Sequence, residues 1–192
     1  AYYFLAFFTL MPPNEAFPRM KEAALKALEK DDSQAEAHGS LALVNLHYEW
    51  NFSAAEREFR RALELNPSKA DIRHDYAHYL ITMGRTEESL AEMERALQLD
   101  PLGVVTIACH GWHFYSARRY DRALEQGLQA LAMEPGLFWT HIILGWAYSE
   151  KGAHEQALAE LQNGVKLMAG RSFAVGALGQ GFAAAGKRRE AQ

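Results

Sequence analysis

Along "GLFWTHIILGWAYSEKGAHEQALAELQNGVKL", Gly136 to Leu167, apolar residues recur at steps of three and four, with one break at Gly152. That spacing keeps one side of a 3.6-residue coil apolar, so the segment predicts two amphipathic helices joined at the glycine. The unit returns along the chain. Helix endings "ALEKDD", "ALELNP", "ALQLDP" and "ALAMEP" finish at Asp32, Pro67, Pro101 and Pro135, at steps of 35, 34 and 34. A column of small residues, Ala42, Ala77, Gly111, Gly145 and Gly179, keeps the same beat, and so does a second column, Ala27, Ala62, Ala96, Ala130 and Gly164. Gly84, Gly152 and Gly186 mark the joint between helices. Three columns in one register imply a repeated helix pair, in which small side chains let two backbones approach and large neighbours such as Leu144, Tyr148 and Leu161 fill the seam. Each proline ends the second helix, because it lacks a donor and its predecessor avoids helical dihedrals. One pair cannot bury its own faces, so the pairs must stack.

The residues that carry this pattern resemble the tetratricopeptide repeat. "HIILGWAY", His141 to Tyr148, matches its W-x2-L-G-x2-Y helix with His141 in the Trp place, and the later small-residue and proline columns follow. The resemblance implies an all-α fold, a right-handed superhelical solenoid of antiparallel helix pairs. One solenoid is expected over 1–192: a divergent or partial repeat over 1–34, repeats over 35–69, 70–103, 104–137 and 138–171, and a partial repeat over 172–192. An extra residue near "EWNFS" accounts for the single step of 35. Some positions depart from the pattern. Arg118 stands in the inter-helix glycine column, His110 in a large apolar place, Gly127 where a large residue is usual, and Gly164 in an alanine place, while Ala169 stands for the last proline. The repeats over 104–137 and 138–171 are therefore expected to pack less tightly than the one before them.

"RHDYAHYL", Arg73 to Leu80, raises the question of chemistry, since His74 and His78 stand four apart with Asp75 between them. A zinc-protease helix needs a glutamate base and a third ligand, and Asp75 is one methylene too short with no ligand at a fixed offset. Tyr76 and Ala77 fall in the packing columns, which leaves Asp71, His74 and His78 together on the other side of the helix. In "CHGWH", Cys109 reads as a small buried hydrophobe and His110 as a buried, hydrogen-bonded histidine; His38 and His141, in the Trp column, read as packing residues. No catalytic residue, cofactor or metal is expected. The second helices, such as "AAEREFRRALEL" with Glu56 followed by Arg60, read as solvated faces with i,i+4 pairs.

In the resembled family, the side of each first helix that carries Asp71, His74 and His78 lines a concave groove. Carried through the repeats, that groove is polar around Asp71, His74 and His78, and strongly aromatic further on at Trp112, Tyr115, Trp139 and Trp146, with Ile142 and Glu150 beside them. The Lys/Asn/Arg clamp that some members use for chaperone tails is missing, as Gly39, Leu43, Ser40, Val105 and Cys109 stand in its places. A partner protein or peptide with apolar or aromatic side chains is expected there, with the histidines adding hydrogen bonds and a pH response in the histidine range.

Composition narrows the partners. A net charge of −4 gives no reason to expect nucleic acid. The apolar Ala1–Leu10 stretch is halted by Pro12 and Pro13, well short of the roughly 20 residues of a membrane span, so no membrane insertion is expected. The single cysteine fits a reducing, cytoplasmic setting. With no initiator methionine and an unfinished last helix, the chain reads as a piece of a longer protein. It also resembles repeat regions of bacterial signalling proteins, transcription regulators or Ser/Thr kinases. That likeness implies an oligomerising or sensory module, with Ala1–Leu10 able to drive a homo-oligomer.

Overall fold

A computed structural model of the protein describes residues 3, 11–187 and 189–191. The described residues are helical, with no strand among them. The helices are α1 (Pro13–Leu28), α2 (Ala35–His47), α3 (Phe52–Leu65), α4 (Ala70–Thr82), α5 (Thr86–Leu99), α6 (Val104–Ser116), α7 (Tyr120–Met133), α8 (Phe138–Glu150), α9 (His154–Leu167) and α10 (Ser172–Ala184). They form antiparallel pairs in two compact units, Ala1–Asp100 and Pro101–Gln192. Apart from Tyr3, the Ala1–Leu10 stretch expected to drive dimers lies outside the described residues.

Local chemistry sets the helix bounds. Asn66, Asp100 and Glu134, each just before a proline, leave the helical region at ψ of 89°, 83° and 85°, as a following pyrrolidine ring requires. Where Ala169 replaces the proline, α9 instead ends through two left-handed residues, Ala169 at φ 49° and Gly170 at φ 72°. The joints between paired helices need a positive φ. Gly84, Gly152 and Gly186 supply it at 74°, 73° and 74°, whereas Arg118 adopts 59° and Trp50 adopts 56°. The extra residue in the 35–69 repeat lies in this joint, where the Asn51 side chain caps α3 by accepting from the Ala54 N–H at 3.2 Å.

In the first unit, Phe59 is fully buried against Tyr76 and Tyr79, ring centroids 5.5 and 6.0 Å away. Glu56 does more than pair with Arg60 on a solvated face. It also accepts from Arg85 Nη1 at 2.7 Å and from the Tyr79 hydroxyl at 3.3 Å, and the hydrogen bonds from Arg85 and Arg60 hold its carboxyl down at about 2. In the second unit the small-residue columns behave as the periodicity predicts, since Gly145 is buried with Leu161 against it. The looser packing expected around Gly127 and Gly164 is corrected by their neighbours. A Cβ at Gly127 would sit 2.6 Å from Leu144 Cδ2, and one at Gly164 would sit 2.7 Å from Ile142 Cδ1. Each missing side chain is a socket that an opposing side chain fills.

Candidate protein-interaction site

Trp139 and Trp146 are seven residues apart on α8, two turns along one side of the helix. Trp112 and Tyr115 come from α6, and the two helices pack in the same unit. The rings touch in sequence. Trp112 and Trp139 are 6.4 Å apart, Trp139 and Trp146 meet perpendicularly at 5.7 Å, and Tyr115 lies nearly parallel to Trp146 at 5.8 Å. Phe173 of α10 extends the row, 5.8 Å from Trp139 and 6.2 Å from Trp146. These separations fall in the range where aromatic pairs attract beyond their buried area. The four α6 and α8 rings are half-buried and Phe173 is 47% exposed, so the row packs on itself and still shows an apolar face.

Two polar atoms near the C-terminal end of α8 are unmatched. The Trp146 indole N–H and the Ser149 hydroxyl are buried without a hydrogen-bond partner among the described residues. Glu150 is exposed at the end of α8 and accepts from the Tyr120 hydroxyl at 3.1 Å. Ile142 does not belong to the face. It is fully buried, filling the socket at Gly164, and supports the tryptophans from beneath. The groove residues read from the sequence include neither Phe173 nor Tyr120. The one signal for Tyr120 was an aromatic residue opening a second helix.

In the first unit, α4 brings His74 and His78 together, with Nε2 atoms 2.8 Å apart, so that one ring donates a hydrogen bond and the other accepts it. Asp71, one turn before, is exposed and accepts from the Ile72 N–H at 3.0 Å. The expected response in the histidine range fails for His74. Burial pushes its pKa down to about 4, which the charge of Asp71 only partly offsets, so the ring stays neutral near pH 7.

Three other histidines depart from expectation. His38 and His141 are polar fasteners rather than apolar packing. Nδ1 of His141 lies 2.6 Å from Glu160 Oε2 and Nε2 lies 3.0 Å from the Pro135 carbonyl; His38 repeats this with Glu58 and the Asp32 carbonyl at the same distances. In the repeat after that of His38, Arg73 stands in the same column, whereas Ile107 holds it in the next. It donates to Glu92 at 2.7 Å and to the Pro67 carbonyl at 2.7 and 2.9 Å. Each fastener ties a first helix to its second helix and to the preceding turn. His110 is buried as expected but unbonded, since neither ring nitrogen has a hydrogen-bond partner among the described residues. Burial lowers its pKa to about 4 and the charge of Arg122 adds to the shift; Gln126 opposes it without reaching hydrogen-bond geometry.

No helix among the described residues is long and apolar enough to cross a membrane. The family profile of the tetratricopeptide repeat matches residues 70–101, the α4–α5 pair and the proline that follows. Solved structures show the same fold over most of the chain. PilW, a type IV pilus biogenesis factor, superposes with a TM-score of 0.80 at 18% identity, over 96% of this chain and 86% of its own. PilF of Pseudomonas aeruginosa gives 0.71 at 22% identity, over 83% and 72%. YrrB, a tetratricopeptide-repeat protein with an unusual peptide-binding site, gives 0.62 at 19% identity, over 89% and 88%. No curated protein matches the chain. The fold is thus an all-α solenoid of tetratricopeptide type, an architecture suited to protein–protein contact.

Proposed function

We propose that the protein is a non-catalytic scaffold and that a segment of a partner protein lies on the aromatic face of its second unit. The supporting observation is the row Trp112, Trp139, Trp146 and Tyr115, capped by the exposed Phe173 and holding an unpaired indole N–H. Large rings with few rotamers lose little entropy when a partner covers them, so such rows concentrate binding energy. The partner supplies apolar side chains to the rings. Peptide binding by YrrB, which shares the fold, is in keeping with this reading. Asp71, His74 and His78 offer a second, polar contact on the first unit, neutral at His74.

The test is capture of partners from cell extract on immobilised protein. A Trp112→Ala/Trp146→Ala variant should lose the captured protein while keeping its helical circular dichroism. A Trp50→Ala variant, which removes a tryptophan that is 73% exposed in the other unit, should retain it. Equal recovery on the wild type and the double variant would end the assignment.

A further inference from the structure

The joint between α6 and α7 differs from its counterparts in charge. "TMGRTEE" (82–88) and "EKGAHEQ" (150–156) each carry one Arg or Lys and two acids, whereas "SARRYDR" (116–122) carries three arginines and one aspartate. The fold adds a fourth cation from the next repeat. Arg118, Arg119, Tyr120, Asp121, Arg122 and Lys151 line an open cleft of about 290 Å³. Its single carboxylate, Asp121, is engaged by Lys151. In a protein whose net charge is −4, four cations around one small cleft form a local field of the opposite sign.

Two features mark the cleft as more than a solvated turn. Arg118 takes φ 59° where the joints at Gly84, Gly152 and Gly186 use glycine, so the guanidinium is kept at the expense of a strained backbone. Among the described residues, Arg118 has no ion-pair or hydrogen-bond partner for that side chain, which leaves its donor fork open. Arg122 is held in place, with its guanidinium 5.1 Å from the Phe114 ring centroid and its Nε 3.2 Å from Glu125. The cleft also adjoins the aromatic row through Tyr120. That ring lines the cleft, lies 5.9 Å from Tyr115, and donates to Glu150.

We infer that this cleft binds an oxyanion, the carboxylate or phosphate group of an acidic stretch adjoining the apolar side chains that the same partner segment lays on the aromatic row. The guanidinium fork of Arg118 and the ammonium of Lys151 supply charge-assisted hydrogen bonds, and Arg119 and Arg122 supply the field. Lys151 shares itself between Asp121 and the incoming oxyanion. The identity of the anion's carrier rests on the scaffold reading above; the existence of the anion site does not. A partner read in this way has a direction, with its acidic end at the α6–α7 joint and its apolar portion toward Phe173.

The test is a nuclear magnetic resonance titration of the whole chain with inorganic phosphate, with glutarate, and with sodium chloride at matched ionic strength. Phosphate or glutarate should give saturable shifts at the amides of Arg118 to Arg122 and Lys151 that chloride does not. Shifts with glutarate point to acidic side chains as the source, and shifts with phosphate alone point to a phosphorylated residue. Arg118→Gly, which retains the turn, should weaken binding roughly tenfold, the effect of losing one charge-assisted hydrogen bond. Arg118→Gly/Lys151→Gln should abolish saturation with unchanged circular dichroism. Shifts that track chloride equally, or an unchanged affinity in the double variant, would overturn the site. Neither probe needs the tryptophans, so loss of the anion site and loss of the aromatic face are read separately.

Discussion

Replacing Arg118 by glycine should stabilise the protein. At φ 59° the Cβ of a non-glycine residue crowds the following carbonyl, which costs about 1–2 kcal/mol. Glycine also loses more freedom on folding, about 0.5–1 kcal/mol, which leaves a net gain of about 0.5–1 kcal/mol. The bonding of the turn gives no reason for a further loss. Arg118 N–H donates to Tyr115 and Arg119 N–H to Phe114, at 2.9 and 2.8 Å, and the Gly152 joint makes the equivalent bonds at 3.0 and 2.9 Å. No packing is lost with the exposed side chain, and one of four neighbouring cations disappears. Thermal unfolding followed by circular dichroism should show a midpoint rise of about 1–4 °C, given roughly 2–4 °C per kcal/mol for a chain of this size. Arg118→Ala separates backbone from charge, since alanine removes the cation and keeps the crowded Cβ. If Arg118→Gly proved no more stable than Arg118→Ala, left-handed strain at this joint would be refuted. The support it lends to the oxyanion cleft would fall with it.

Further outcomes follow from the packing and the buried charges. His110→Leu should raise stability by about 1–2 kcal/mol, because it removes two buried nitrogens that lack partners. The wild type should lose stability as pH falls from 6.5 toward 4, since the unfolded chain then takes up a proton that folded His110 refuses; in urea titrations across that range, His110→Leu should flatten the slope. Gly127→Ala should destabilise by about 1–3 kcal/mol, as the new Cβ would sit 2.9 Å from Cγ of the fully buried Leu144; the same assay should show a milder effect for Gly164→Ala, where the methyl end of Ile142 can rotate aside. His141→Phe should cost about 1–3 kcal/mol by leaving Glu160 and the Pro135 carbonyl unpaired, whereas His141→Arg should keep most of the stability by reproducing the contacts of Arg73.

The periodic columns made the helices, their joints and the buried small residues legible, because each is fixed by backbone geometry within one repeat. The extra residue near Trp50 and the prolines after α3, α5 and α7 fall where the beat places them for the same reason. Side-chain partners across helices were less legible. Ile142 has an inward register but is taken up by the socket at Gly164, and an absent side chain gives no local sign of what will fill it. The fasteners at His38, Arg73 and His141 were hidden because a histidine in a tryptophan column reads as a ring. Its partners, a carboxylate about twenty residues on and a carbonyl six residues back, become visible only when three repeats are superposed.

The same limit explains the α6–α7 joint. Arg118 was legible as a departure from the glycine column, but its meaning depends on Lys151, thirty-three residues later, and on Tyr120, which links the cleft to the aromatic row. A repeat fold brings equivalent positions of successive units side by side, so a substitution in one joint is read against residues one period away rather than against its sequence neighbours. Scaffold positions therefore follow the column, and positions that break the column at an energetic cost are the ones to examine for a ligand. By that criterion Arg118 ranks above Trp50, whose positive φ accompanies an inserted residue, and above Ala169, which stands where a proline would otherwise end the helix. Arg118 alone keeps the standard joint length in a column where glycine relieves the backbone, yet carries a side chain whose charge Arg119, Arg122 and Lys151 reinforce.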